Sequence, residues 1–116
     1  MNLPEEGYLL RIFIGESDKH AGKPLYEWIV VQAHQQELAG ATVLRGVMGY
    51  GANSKVIQTF KIVRLSEDLP VVIEIVDTHD KLEKFLASID NEIHAGMATL
   101  EKVQVRIYRS LGDGDN

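Results

Sequence analysis

The sequence predicts an α+β fold with the element order β-α-β-β-α-β. Residues 8–14 and 99–108 carry the two-residue alternation of strands, and Val71, Val72, Ile73, Ile75 and Val76 make the most β-prone stretch of the chain. Between them, Tyr26, Ile29, Val30 and Ala33, and then Leu82, Phe85, Leu86, Ile89 and Ile93, recur at helical spacing.

The first strand places Leu10, Ile12 and Ile14 on one face and Leu9, Arg11 and Phe13 on the other. Residues 15–22 form a polar loop. Pro24 suits the first position of a helix over residues 24–38, because a missing N–H is no loss there, and Gly40 suits a left-handed stop. Residues 41–48 return to an extended pattern. Turn-forming residues 49–54 interrupt it, and residues 56–65 are strand-like again, an extended arm between strands two and three.

Residues 66–70 form a second turn ahead of the strand at 71–76. Asp77 or Thr78 can cap the second helix, and Gly96 ends it. The last strand sets Val103, Val105 and Ile107 against Gln104, Arg106 and Tyr108. Right-handed crossovers then put both helices on one sheet face, which gives a ferredoxin-like sandwich. Leu9, Phe13, Val72 and Val76 point to the other face, so that face needs cover, and oligomerisation would supply it.

With 116 residues the chain fits one domain, taken as residues 1–110 with a disordered tail at 111–116. A hydrophobic share of 45% against 25% charged residues is the balance of a chain with a real core. The absence of cysteine excludes disulfides, thiolate nucleophiles and cysteine-ligated zinc, and fits the cytoplasm. No apolar run is long enough to insert in a membrane. A net charge of -5 argues against nucleic acid as a partner. Arg45, Arg106 and Arg109 still leave local positive charge for a smaller anion.

Several constellations invite a chemical reading. Residues 46–51 space their glycines as G-x-x-G-x-G at the end of a strand, without opening a helix, which is not a dinucleotide fingerprint. Bare backbone there can approach an anion, or the glycines can serve a turn needing positive φ. The loop before the first helix carries Glu16 and Asp18, which oppose an anion at that helix end and suit solvated or capping roles. The 4 histidines lie in different elements without metal-site spacing and read as surface residues. No serine sits in a nucleophile elbow. Glu74, a carboxylate in the middle of an apolar strand, needs solvent, a partner cation or a subunit cleft where it recognises a ligand.

The segments Gly15-Glu16-Ser17-Asp18, Gly22-Lys23-Pro24-Leu25-Tyr26, Gly40-Ala41-Thr42-Val43-Leu44-Arg45-Gly46, Gly49-Tyr50-Gly51-Ala52, Leu65-Ser66-Glu67-Asp68-Leu69-Pro70 and Glu74-Ile75-Val76-Asp77 together resemble an uncharacterised bacterial and archaeal family of PII-like proteins (DUF190/UPF0166 type). The resemblance covers residues 8–109. It implies a PII-like, ferredoxin-like trimer that acts in signal transduction, with an adenine nucleotide or another small anionic ligand in clefts between subunits. It also implies a flexible T-loop-like arm, residues 50–61, that reports to a partner protein. Carried over by position, Thr42, Arg45, Gly49, Tyr50, Gly51, Glu74, Arg106 and Arg109 are the implied ligand-binding residues. Where PII proteins have a Gly-Asp-Gly-Lys phosphate loop, this chain has Ala95-Gly96-Met97-Ala98-Thr99, so the resemblance does not carry ATP itself over. No catalytic or metal-ligating residue is implied. Two other readings stand beside it. One is a structural or metal-tolerance trimer without nucleotide. The other is a small acylphosphatase-like enzyme, which would want an arginine at a strand–loop junction and an asparagine nearby to hold phosphate and water, whereas Arg11 sits mid-strand and Asn53 has no assigned neighbour.

Overall fold

The computed structural model describes residues 6–51 and 68–111. The predicted strand at 56–65, most of the arm, part of the turn before Pro70 and all of the tail but Leu111 lie outside these residues. The elements are β1 (Glu6–Gly15), β2 (Lys19–His20), β3 (Lys23–Pro24), α1 (Leu25–Gln35), β4 (Thr42–Arg45), β5 (Pro70–Asp77), α2 (His79–Ile89), a 3-10 turn (Asp90–Glu92) and β6 (Met97–Gln104). The main sheet runs β4-β5-β1-β6 with every neighbouring pair antiparallel. This is the predicted α+β order with its two split β-α-β units interleaved.

β1 is central because its residues can satisfy two ladders and two environments at once. Leu10, Ile12 and Ile14 face the helices beside their register partners Ile75, Ile73 and Val71, and all six are buried. α1 adds Leu25, Ile29 and Ala33 to that core, and α2 adds Leu82, Phe85 and Ile89. The helical spacing seen in the sequence is therefore the face that packs on the sheet. Ile93 lies beyond the end of α2, past the 3-10 turn, yet still packs against the core.

Asp77 is the one buried charged side chain among the described residues, at 1% exposure. Its Oδ2 accepts from the Ala39 N–H at 2.8 Å and its Oδ1 from the Thr78 N–H at 2.7 Å, with Lys81 Nζ at 3.6 Å. It thereby ties the approach to β4 onto the start of α2. Thr78 is the cap, accepting from the Lys81 N–H at 3.3 Å.

Several boundaries differ from expectation. Pro24 precedes α1 with an extended ψ of 131° rather than opening the helix, because it pairs with Lys19 in a small β2–β3 hairpin inside the expected polar loop. The turn of that hairpin, Ala21-Gly22, has φ of 52° and 80°, both positive as a two-residue hairpin turn requires. The left-handed residue after α1 is Glu37, at φ 61°, and not Gly40. β4 stops at Arg45, opposite Val71, because β5 supplies only the Pro70 carbonyl beyond that point. β6 stops at Gln104, opposite Glu6. The chain then turns back until the Tyr108 hydroxyl donates to the Ala39 carbonyl at 2.9 Å.

Two side-chain changes test this packing. Phe85→Ala empties a site that is 0% exposed and is expected to cost about 3–5 kcal/mol in chemical denaturation. Gly96→Ala is expected to cost about 2 kcal/mol or more by the same measurement, since Gly96 has φ 155° and a Cβ there would lie 2.5 Å from the Phe13 carbonyl oxygen.

Candidate ligand site

The sheet face away from the helices carries Leu9, Arg11 and Phe13 from β1, with Val76, Glu74 and Val72 opposite them on β5. β4 adds Thr42 opposite Glu74 and Leu44 opposite Val72, and β6 adds Met97, Thr99 and Glu101. Among the described residues no helix lies on this face. Apolar side chains therefore stay half-buried or exposed, Leu44 at 49% and Met97 at 55%.

In the middle of the face, Arg11 is clasped by two carboxylates. Its Nε donates to Glu74 Oε2 at 2.9 Å and its Nη1 to Glu101 Oε1 at 2.6 Å. The hydrogen bond that Arg11 donates to Glu74 is the largest influence on the guanidinium pKa; desolvation opposes it, and with the Glu101 contact added the pKa lies above its already high ordinary value. The cation that Glu74 needs is thus Arg11. A lone charge in each of two apolar strands was the signal, and only the register shows that they meet.

The second cluster sits where β4 ends. The Gly46 N–H donates to the Pro70 carbonyl at 2.8 Å, and a Cβ at Gly46 would lie 2.8 Å from Pro70 Cγ. Gly49 has φ 153° and would bring a Cβ to 3.2 Å from the same atom. These two glycines are thus explained by close packing on the proline ring, the turn reading of the motif. Gly51 has nothing within 4 Å of a built Cβ. Val47, Met48 and Tyr50 project outward, at 92%, 73% and 70% exposure.

The loop after β1 closes on this end. The Glu16 N–H donates to the Leu69 carbonyl at 2.8 Å and the Ser17 N–H to Asp68 Oδ1 at 2.9 Å. Asp18 turns inward, its Oδ2 accepting from the Gly15 N–H at 3.0 Å. Arg45 Nη2 reaches Glu16 Oε2 at 2.5 Å. Glu16, Asp68 and Arg11 are absent from the sequence-derived site, since their pairing depends on which loops the sheet brings together.

Of the sequence-derived residues, the fold brings Thr42 beside Glu74 and sets Arg45 at the end of β4, with Gly49 packed on Pro70 beyond it and Tyr50 and Gly51 following as exposed residues. It does not bring Arg106 and Arg109 to them. Both are exposed, beyond β6, flanking the Tyr108 that meets Ala39 at the opposite end of the sheet.

The histidines are less uniformly surface residues than expected. The ring of His20 stacks on Trp28 with centroids 4.1 Å apart, and its Nδ1 lies 2.9 Å from Glu92 Oε1. Among the described residues no three His, Asp or Glu side chains group as a metal site, and no helix is long and apolar enough to cross a membrane.

Known proteins place this architecture. CPII, a nitrogen regulatory PII-like protein from Thiomonas intermedia K12, solved with ADP and bicarbonate, superposes with a TM-score of 0.61 over 90% of each chain at 15% identity. The fold is therefore PII-like. A UPF0166 protein of Aquifex aeolicus is 43% identical over 97 residues, which are 84% of this chain and 90% of that protein. A UPF0166 protein of Methanocaldococcus jannaschii is 36% identical over 81 residues, 70% of this chain and 73% of that one. Residues 7–105 match the model of the DUF190 family, described as an uncharacterized ACR, and the chain belongs to that family.

Proposed function

We propose that the protein is a trimeric PII-like regulatory protein of the cytoplasm. In this reading it binds a small anionic ligand, an adenine nucleotide, in clefts between subunits and reports occupancy to a partner protein through residues 50–61. The observation that carries the reading is the uncovered sheet face. Helices bury the other face, while this one holds half-buried aliphatic side chains that a second copy would remove from water. Thr42 and Glu74 stand on that face; Arg45, the register partner of the buried Val71, ends β4 on the helix side, next to the glycine segment at that end of the sheet. A ligand there would lie at the rim of any contact between copies.

Arg106 and Arg109, remote from this rim within one chain, would then be contributed by the neighbouring subunit. CPII supports the choice of ligand class, since it is known with ADP and bicarbonate and with ADP, AMP and acetate. The clasped state of Arg11 weighs against an acylphosphatase-like enzyme, because a guanidinium held by two carboxylates is a poor phosphate cradle. Asn53, the other residue such an enzyme would want, lies outside the described residues.

Calorimetric titration of ADP, AMP and ATP into the purified chain is expected to show binding of at least one of them. Arg45→Ala and Arg106→Ala should each weaken it about tenfold, the order of one charge-assisted hydrogen bond. No heat from any nucleotide would remove the ligand from the proposal and favour a purely structural assembly. Light scattering should give the mass of a trimer for the native chain. Met97→Glu, which puts a charge on a residue 55% exposed on the uncovered face, should shift that mass to the monomer while circular dichroism stays unchanged. A trimer that survives this change is not built through this face.

A further inference from the structure

Glu16 does not sit beside Arg45 as a casual surface partner. Its own N–H is committed to the Leu69 carbonyl at 2.8 Å and the next N–H, of Ser17, to Asp68 Oδ1 at 2.9 Å. The backbone thus presents the Glu16 side chain to the end of β4, where Oε2 meets Arg45 Nη2 at 2.5 Å. Of the two side chains the carboxylate is the more enclosed, 27% exposed against 59% for Arg45. Most surface ion pairs are weak because two free side chains must both be ordered. Here the segment carrying the carboxylate is ordered by contacts independent of the pair.

We propose that Glu16 is a built-in competitor for the anion that Arg45 takes up. This rests on the reading of Arg45 as a ligand-binding residue and deepens it. In the free protein the carboxylate occupies the guanidinium, and an incoming phosphate must displace or share it, so every anionic ligand binds more weakly by the same factor. Linkage makes the effect reciprocal: bound ligand loosens the Glu16 contact as much as the contact opposes the ligand. What the ligand releases is the Glu16 side chain, while its backbone stays bonded beside Leu69 and Asp68.

The test is an ADP titration of the full chain in four forms: native, Glu16→Gln, Arg45→Ala and the double variant. Glutamine keeps the size of the side chain and the two backbone hydrogen bonds but removes the charge. The expected result is about fivefold tighter ADP binding by Glu16→Gln, the size of an exposed ion pair released, and no difference between Arg45→Ala and the double variant. Equal affinities of the native and Glu16→Gln proteins would overturn the competition and leave nucleotide binding intact. Tightening that persists in the Arg45→Ala background would also overturn it, since Glu16 would then act only through net charge. An absence of ADP binding in all four forms would overturn both this proposal and the reading beneath it.

Discussion

The structure depends on the strict alternation of β1. Because successive side chains point to opposite faces, one strand supplies Leu10, Ile12 and Ile14 to the core and Leu9, Arg11 and Phe13 to the opposite face. A slip of one residue against β5 or β6 would exchange the two faces of the strand and turn Arg11 toward the apolar core. The register is therefore set twice: by the core on one face, and by Arg11 reaching Glu74 and Glu101 on the other. The clasp is not a large source of stability, since all three side chains are partly exposed. Its effect is to make one arrangement of three strands electrostatically correct.

Pro70 plays the corresponding part where β4 ends. It is the first residue of β5 and lies opposite Gly15, while its carbonyl accepts from Gly46 and its ring lies under Gly46 and Gly49. A proline can begin a strand because its missing N–H leaves no ladder bond unmade there. Its flat ring in turn needs neighbours without a Cβ. The glycines at 46 and 49 are thus a consequence of Pro70, and the direction in which residues 47–50 leave the sheet is a consequence of the glycines. Asp77 does similar work at the far end of β5, holding Ala39 and Thr78 together.

Much of this was legible in the sequence. Two-residue and helical periods identified both faces of β1 and β5 and the buried stripes of α1 and α2, because burial is what those periods record. Less legible was whatever depends on a partner distant in sequence. Gly40 suits a helix stop by residue type, but the left-handed position falls at Glu37 because Leu38 must turn inward to join the core. Residues 105–108 alternate as well as any strand, yet β6 ends at Gln104 and the Tyr108 hydroxyl bonds the distant Ala39 carbonyl instead. The glycines at 46 and 49 left open whether an anion or a turn was served, and the Pro70 ring they pack on could not be read from their spacing. For Glu74 the sequence left solvent, a partner cation or a ligand cleft open, and the cation that meets it lies 63 positions away.

The division of the candidate residues between the two ends of the sheet carries an argument of its own. Arg45 and the glycine segment lie where β4 ends, Arg106 and Arg109 where the chain has turned back toward its start, and the packed sheet between them leaves no way to unite them in one chain. If both ends serve one anion, the site is composite, and assembly precedes binding. The uncovered face lies between those ends, and under the proposed assembly it is the surface through which copies meet. Under that arrangement a ligand at Arg45 touches three things at once: the neighbouring subunit, the exit of β4, and the loop that Glu16 anchors beside Leu69 and Asp68. A monoanion and a nucleotide diphosphate would then differ less in whether they reach Arg45 than in how many of these three they hold together.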